Sequence, residues 1–120
     1  MTQEAYWRFR DDIAGLADPR FYPIDWIDKQ VWTGAIRTLA NAGAIIGFEI
    51  KDYPGGAREL HGMFAAGELE SILSLIDQAI ECGKSLGCTV ATIASRSGWA
   101  RLLESRGFGP HQQSIIKELG

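Results

Sequence analysis

The chain has 120 residues, 46% of them apolar and 22% charged, with a formal net charge of −3. Its 13.2 kDa scale to roughly 19,000 Å² of surface unfolded and about 6,400 Å² folded, enough for a single domain, residues 1–120, with one core. This composition excludes a disordered tail, no apolar run approaches the ~18 residues of a membrane span, and the acidic balance argues against the basic face a nucleic-acid backbone attracts.

Within the first eighteen residues Tyr6, Phe9, Ile13 and Leu16 fall on one helical face, with Arg8, Asp11 and Asp12 turned elsewhere, so a helix is expected to end near Ala17, before Pro19. Pro23 opens a second short helix with an Ile24, Ile27, Val31 stripe, closed after Thr33 by Gly34. From Ala35 the pattern becomes that of strands. AIRTLAN, AIIGFEIKD and ARELHGMFA are separated by Ala42-Gly43 and by Tyr53-Pro54-Gly55-Gly56, the latter suited to a type II turn. An antiparallel three-stranded meander follows. After Gly67 the period returns to helical through Leu69, Ile72, Leu73, Ile76, Ala79 and Ile80, until Gly87. CTVATIA then reads as an interior strand covered on both faces, Ser97 as the cap of a last helix, GWARLLESR, and HQQSIIKEL as a final strand centred on Ile115 and Ile116. The fold class is α/β of the α+β kind: a mixed, mostly antiparallel sheet with helices on both faces.

Cys82 and Cys88, six apart on a helix and the next strand, read as reduced thiols of a cytoplasmic protein rather than a disulfide framework. MTQEAYWRFRDDIAG is charged and has no apolar h-region, so no signal peptide is expected and the mature chain is expected to begin at or near Met1. Two histidines and no cysteine pair at ligand spacing argue against a metal site.

This order of elements, together with LHGMFAAG, ESILSLIDQAIECGKSLGCTVATI and RSGWARLLESRGFG, resembles the GNAT N-acetyltransferase superfamily from about Ile24 to Leu119. In texture it is closest to the short GNAT-like proteins encoded in phages and prophages. The resemblance implies acetyl-CoA bound where the fourth and fifth strands of that fold splay apart. It assigns the cofactor contacts to Met63, Phe64, Ala65 and Gly67, with Arg96 at the mouth. It further implies a base on the ARELHGMFA strand, where alternation places Glu59, His61 and Met63 on one face, opposite Leu60, Gly62 and Phe64. Glu49 on the adjacent strand is expected near Glu59, raising its pKa.

Two positions depart from the family pattern. The segment matching its pyrophosphate loop, Phe64-Ala65-Ala66-Gly67-Glu68-Leu69-Glu70, has one glycine, no arginine and two carboxylates, so Gly67 reads as a helix N-cap. Five residues before Phe108, where the family often has a tyrosine that protonates the departing thiolate, stands Leu103, leaving water or Ser95. Trp7, Trp26 and Trp32 on the first two helices read as core residues, with Trp26 and Tyr22 as alternatives for a substrate entrance or partner contact.

Three readings follow. One is an acyltransferase moving an acetyl group from acetyl-CoA to a small-molecule or protein amine. The second is a GNAT-fold binding or assembly module without turnover, self-associating or serving a phage protein partner. The third is a small-ligand binder using the same cleft. Membrane and nucleic acid are not expected partners.

Overall fold

A computed structural model describes residues 2–94, 97–112 and 114–120. Helices α1 (Thr2–Leu16) and α2 (Ile24–Thr33) precede strands β1 (Arg37–Ala40), β2 (Ala44–Asp52) and β3 (Arg58–Gly67). Helix α3 (Leu69–Ser85), strand β4 (Val90–Ile93), helix α4 (Ser97–Leu103) and a 3-10 turn at Glu104–Arg106 follow. The sheet order is β1-β2-β3-β4, antiparallel across the meander and parallel between β3 and β4. The parallel step is made by α3, long enough to return the chain across the sheet.

Helices cover both faces of this sheet. On one, Ile46, Phe48 and Leu60 pack against Ile72, Leu73, Leu75, Ile76 and Ala79 of α3 and Leu103. Leu75, outside the expected stripe, is among the most deeply buried side chains. On the other face Tyr6, Ile13, Ile27 and Val31 of α1 and α2 pack against Ile45 and Ala66. There the Tyr6 hydroxyl donates to Asp28 at 2.6 Å, and Arg10 forks onto the same carboxylate at 2.8 and 2.9 Å. The Arg10 guanidinium holds the Asp28 carboxyl below the ordinary carboxylate range, outweighing partial burial.

Several expectations are corrected. The turn after β2 puts its positive φ on Gly56 (93°) and not on Gly55. Gly56 N–H donates to the Tyr53 carbonyl and Tyr53 N–H to that of Ala57. This three-residue hairpin loop with a left-handed last residue replaces the type II turn. The N-cap of α3 is Glu68, and Gly67 ends β3 at φ 119°. A Cβ on Gly67 would run into the Gly43 carbonyl and Ala44, so the close approach of the β1–β2 turn requires glycine there. The three tryptophans of α1 and α2 are exposed, Trp32 most of all at 74%. They are not the core packing expected.

The largest difference lies at the C-terminus. The described residues of HQQSIIKEL form no strand. Ile115 and Ile116 are 88% and 68% exposed, and Glu118 meets Arg20 of the α1–α2 loop at 2.6 Å. Strand β4 is therefore an edge strand rather than an interior one, with Val90 48% exposed. Apolar content alone does not tell a strand with two neighbours from one with a single neighbour. Ser95 and Arg96 lie outside the described residues, as does the Ser97 side chain, and with them the roles expected for all three.

Candidate functional site

The site grows out of an interruption in β3. Gly62 pairs with Phe48, but the next pair is Phe64 with Gly47, so Met63 is an extra residue, a β-bulge. The bulge reverses the alternation. Met63 and Phe64 both pack toward α1 and α2, whereas Leu60 and Ala65 belong to the α3 side. Phe64 is thus on the face opposite to the one its spacing predicts. Gly47 makes this possible, because a Cβ there would collide with the Phe64 ring.

The same interruption marks the end of pairing with β4. Contacts between the two strands run from Glu59–Val90 to Gly62–Ile93 and go no further. Met63–Gly67 keeps β2 on one side and faces a cavity of about 850 Å³ on the other. The cavity is lined by Gly62–Gly67, by Ile76 and Ile80 of α3, by Thr92–Ala94, and by Trp99 and Phe108. Asp11, Asp12, Asp18 and Tyr22 from α1 and the loop after it line it as well, and the Tyr22 and Trp26 rings stack with centroids 5.5 Å apart. The cavity therefore touches both helical layers, reached through the gap between β3 and β4.

A polar cluster stands beside this gap. His61 lines the cavity, and its Nδ1 lies 2.8 Å from Thr92 Oγ1 on the paired strand. The Thr92 hydroxyl donates to one oxygen of Glu59, and the Tyr53 hydroxyl donates to the other. Because Thr92 spends its only proton on the carboxylate, His61 Nδ1 must donate to Thr92 Oγ1. This fixes the tautomer and leaves Nε2 as the unprotonated nitrogen.

Glu59 itself is 7% exposed. Burial pushes its pKa up, but the donors Thr92 and Tyr53, joined by His61 and Lys51, outweigh it and leave the carboxyl below its ordinary value. This corrects the expectation of a raised pKa. The antiparallel register sets Lys51, not Glu49, opposite Glu59, while Glu49 faces His61 and pairs with Lys51 at 3.3 Å.

Of the residues singled out in the sequence, the structure brings His61, Met63, Phe64, Ala65 and Gly67 to one cavity, with Glu59 one hydrogen-bonded step behind His61. Arg96 is outside the described residues. Tyr53 and Thr92 were not foreseen. Their signal was parity: Thr92 lies two residues from Val90, and parallel pairing puts it beside His61. Among the described residues no group of three or more His, Cys, Asp or Glu is placed to hold a metal ion.

No family model and no curated relative matches the sequence. Solved structures do. The chain is similar to a Trypanosoma brucei acetyltransferase with a TM-score of 0.62 and 17% identity, over 80% of this chain and 78% of that one. The corresponding values for glucosamine-6-phosphate N-acetyltransferase from Arabidopsis thaliana are 0.67 and 11%, over 93% and 89%. For a predicted acetyltransferase from Clostridium acetobutylicum, solved with acetyl-CoA, they are 0.62 and 10%, over 85% and 76%. At such identities the likeness is one of fold. Helices α1 and α2, the meander, α3, β4 and α4 together make this chain a mixed α+β domain with the GNAT acetyltransferase fold.

Proposed function

We propose that the protein transfers an acetyl group from acetyl-CoA to the amine of a small molecule or protein. The observation that carries this reading is the end of β3–β4 pairing at Gly62 and Ile93, beside a cavity of about 850 Å³. The residues present fit the acyl-pantetheine arm of such a cofactor. The β4-facing edge of Met63–Gly67 offers backbone hydrogen-bonding groups, and Ile76, Ile80 and Phe108 offer an apolar wall. When bound, acetyl-CoA supplies an acyl group activated as a thioester.

The chain's own contribution is proton handling. An ammonium must lose a proton before its nitrogen has a lone pair to attack with. His61 Nε2 accepts that proton, and Thr92 with Glu59 holds the ring in the required tautomer and stabilises the imidazolium that forms. Glu59 acts through His61 as a positioning residue. The free thiols of Cys82 and Cys88 suit the cytoplasm.

A second reading, a phage or prophage GNAT-fold module without turnover, draws on two other observations. Glu68 and Glu70 crowd the start of α3 with negative charge where a diphosphate would approach, and Leu103 is buried in the core with no hydroxyl to protonate a thiolate.

Thermal denaturation with millimolar acetyl-CoA separates the two, because a ligand that binds only the folded state raises Tm. A rise, with thiol release when an amine is added, supports transfer. A rise without thiol release leaves the module, and no rise removes cofactor binding altogether.

A further inference from the structure

An acyl group that reacts beside His61 leaves the rest of a pantetheine arm to run along the open edge of β3 toward Gly67. The far end of the arm, where CoA carries its diphosphate, then arrives at the start of α3. That end of the helix is already occupied by the chain itself. The Gly43 carbonyl accepts the Glu68 N–H at 2.9 Å. The Asn41 side-chain amide donates to the Ser71 carbonyl at 3.3 Å, and its oxygen accepts the Gly43 and Ala44 N–H groups at 3.0 and 2.9 Å. A Cβ on Gly43 would run into the Ser71 side chain, so the β1–β2 turn lies directly on the first turn of α3. Arg8 of α1 holds the same turn from the other side, donating to the carbonyls of Asn41 and Ala42 at 3.1 and 3.4 Å.

The charge at this place has the wrong sign for a phosphate. Glu68 and Glu70 are exposed at the positive end of α3, where they take up the field that would attract an anion. Among the described residues that line the cavity there is no lysine or arginine, whereas Asp11, Asp12 and Asp18 all line it. The open strand edge and the apolar wall therefore fit the arm, and the start of α3 does not fit the diphosphate.

We propose that the site recognises its donor by the acyl-pantetheine arm alone and takes no hold on the nucleotide diphosphate, so that its donor class is acyl-pantetheine thioesters with or without a nucleotide. This rests on the cavity being the donor site, as proposed above, and narrows which part of the donor is bound. A diphosphate attached to the arm is left in solvent beside two carboxylates, a repulsion between exposed charges that salt screens.

Calorimetric titration of the full chain in low-salt buffer with acetyl-CoA, acetyl-pantetheine and ADP tests this without turnover. Acetyl-pantetheine is expected to bind no more than threefold more weakly than acetyl-CoA, and ADP is expected not to bind at millimolar concentration. Preference for acetyl-CoA by more than threefold overturns the proposal, and so does binding of ADP. The double substitution Glu68→Gln with Glu70→Gln is a second arm. Both side chains are exposed and Glu68 makes no capping hydrogen bond, so the fold is expected to persist. The substitution is expected to tighten acetyl-CoA at least threefold and to leave acetyl-pantetheine unchanged; an unaltered affinity for acetyl-CoA overturns the proposal. The outcomes separate it from acetyl transfer. Binding of both thioesters without thiol release on adding an amine removes transfer and leaves this proposal standing. Thiol release from acetyl-CoA with no binding of acetyl-pantetheine removes this proposal and leaves transfer. Binding of neither thioester removes both.

Discussion

The two halves of β3 differ in their neighbours. From Arg58 to Gly62 the strand lies between β2 and β4, and its polar side chains Glu59 and His61 are locked to Thr92 and Tyr53. From Met63 to Gly67 it keeps β2 alone, and what it shows the cavity is mostly backbone and small side chains. The first half holds groups that manage protons, and the second offers an open edge to a bound molecule. One bulged residue, Met63, separates these tasks, so a single strand presents both to the same cavity.

Substitutions test this division in order of size. If the first half manages protons, His61→Gln is expected to lower the transfer rate about 10²–10⁴-fold with Tm nearly unchanged, as judged by steady-state kinetics and thermal melts. An unaltered rate places the base elsewhere. In the second half, Gly67→Ala combines a left-handed φ with a collision against the β1–β2 turn. It is expected to cost about 3 kcal/mol in urea denaturation.

Glu59 gives a smaller, pH-dependent effect. Its folded pKa lies below the unfolded value. Its carboxylate therefore stabilises the fold above about pH 4.3 and loses that contribution as pH falls through the folded pKa. The stability gap between wild type and Glu59→Gln is expected to be about 1 kcal/mol at pH 7 and to narrow toward pH 3. A gap independent of pH breaks the assignment of a charged, donor-held carboxylate. Trp32→Ser, remote from both halves and exposed, is expected to shift stability by less than about 0.5 kcal/mol.

The elements whose order is local were legible in the sequence. Helix α3 follows from its apolar period and its glycine boundaries, and the meander follows from two turn signals between three strand-like runs. What escaped depends on distant partners. The face Phe64 occupies is decided by the absence of a side chain at Gly47, seventeen positions earlier. Whether β4 is central or at the edge depends on where residues 111–120 go, and strand propensity in HQQSIIKEL is silent about that. His61 was visible as a candidate. Its tautomer was not, because Thr92 and Tyr53 reach the cluster through a parallel crossover and a hairpin.

The open half of β3 also carries its own isotope label. Main-chain amides of Met63–Gly67 that do not reach β2 face the cavity, beyond the last described β3–β4 pair, whereas those of the meander are shared between strands. In deuterated buffer they should exchange early, and a molecule that pairs with this edge should retard them selectively. The five residues thus form a footprinting window through which occupancy can be read before any product is sought.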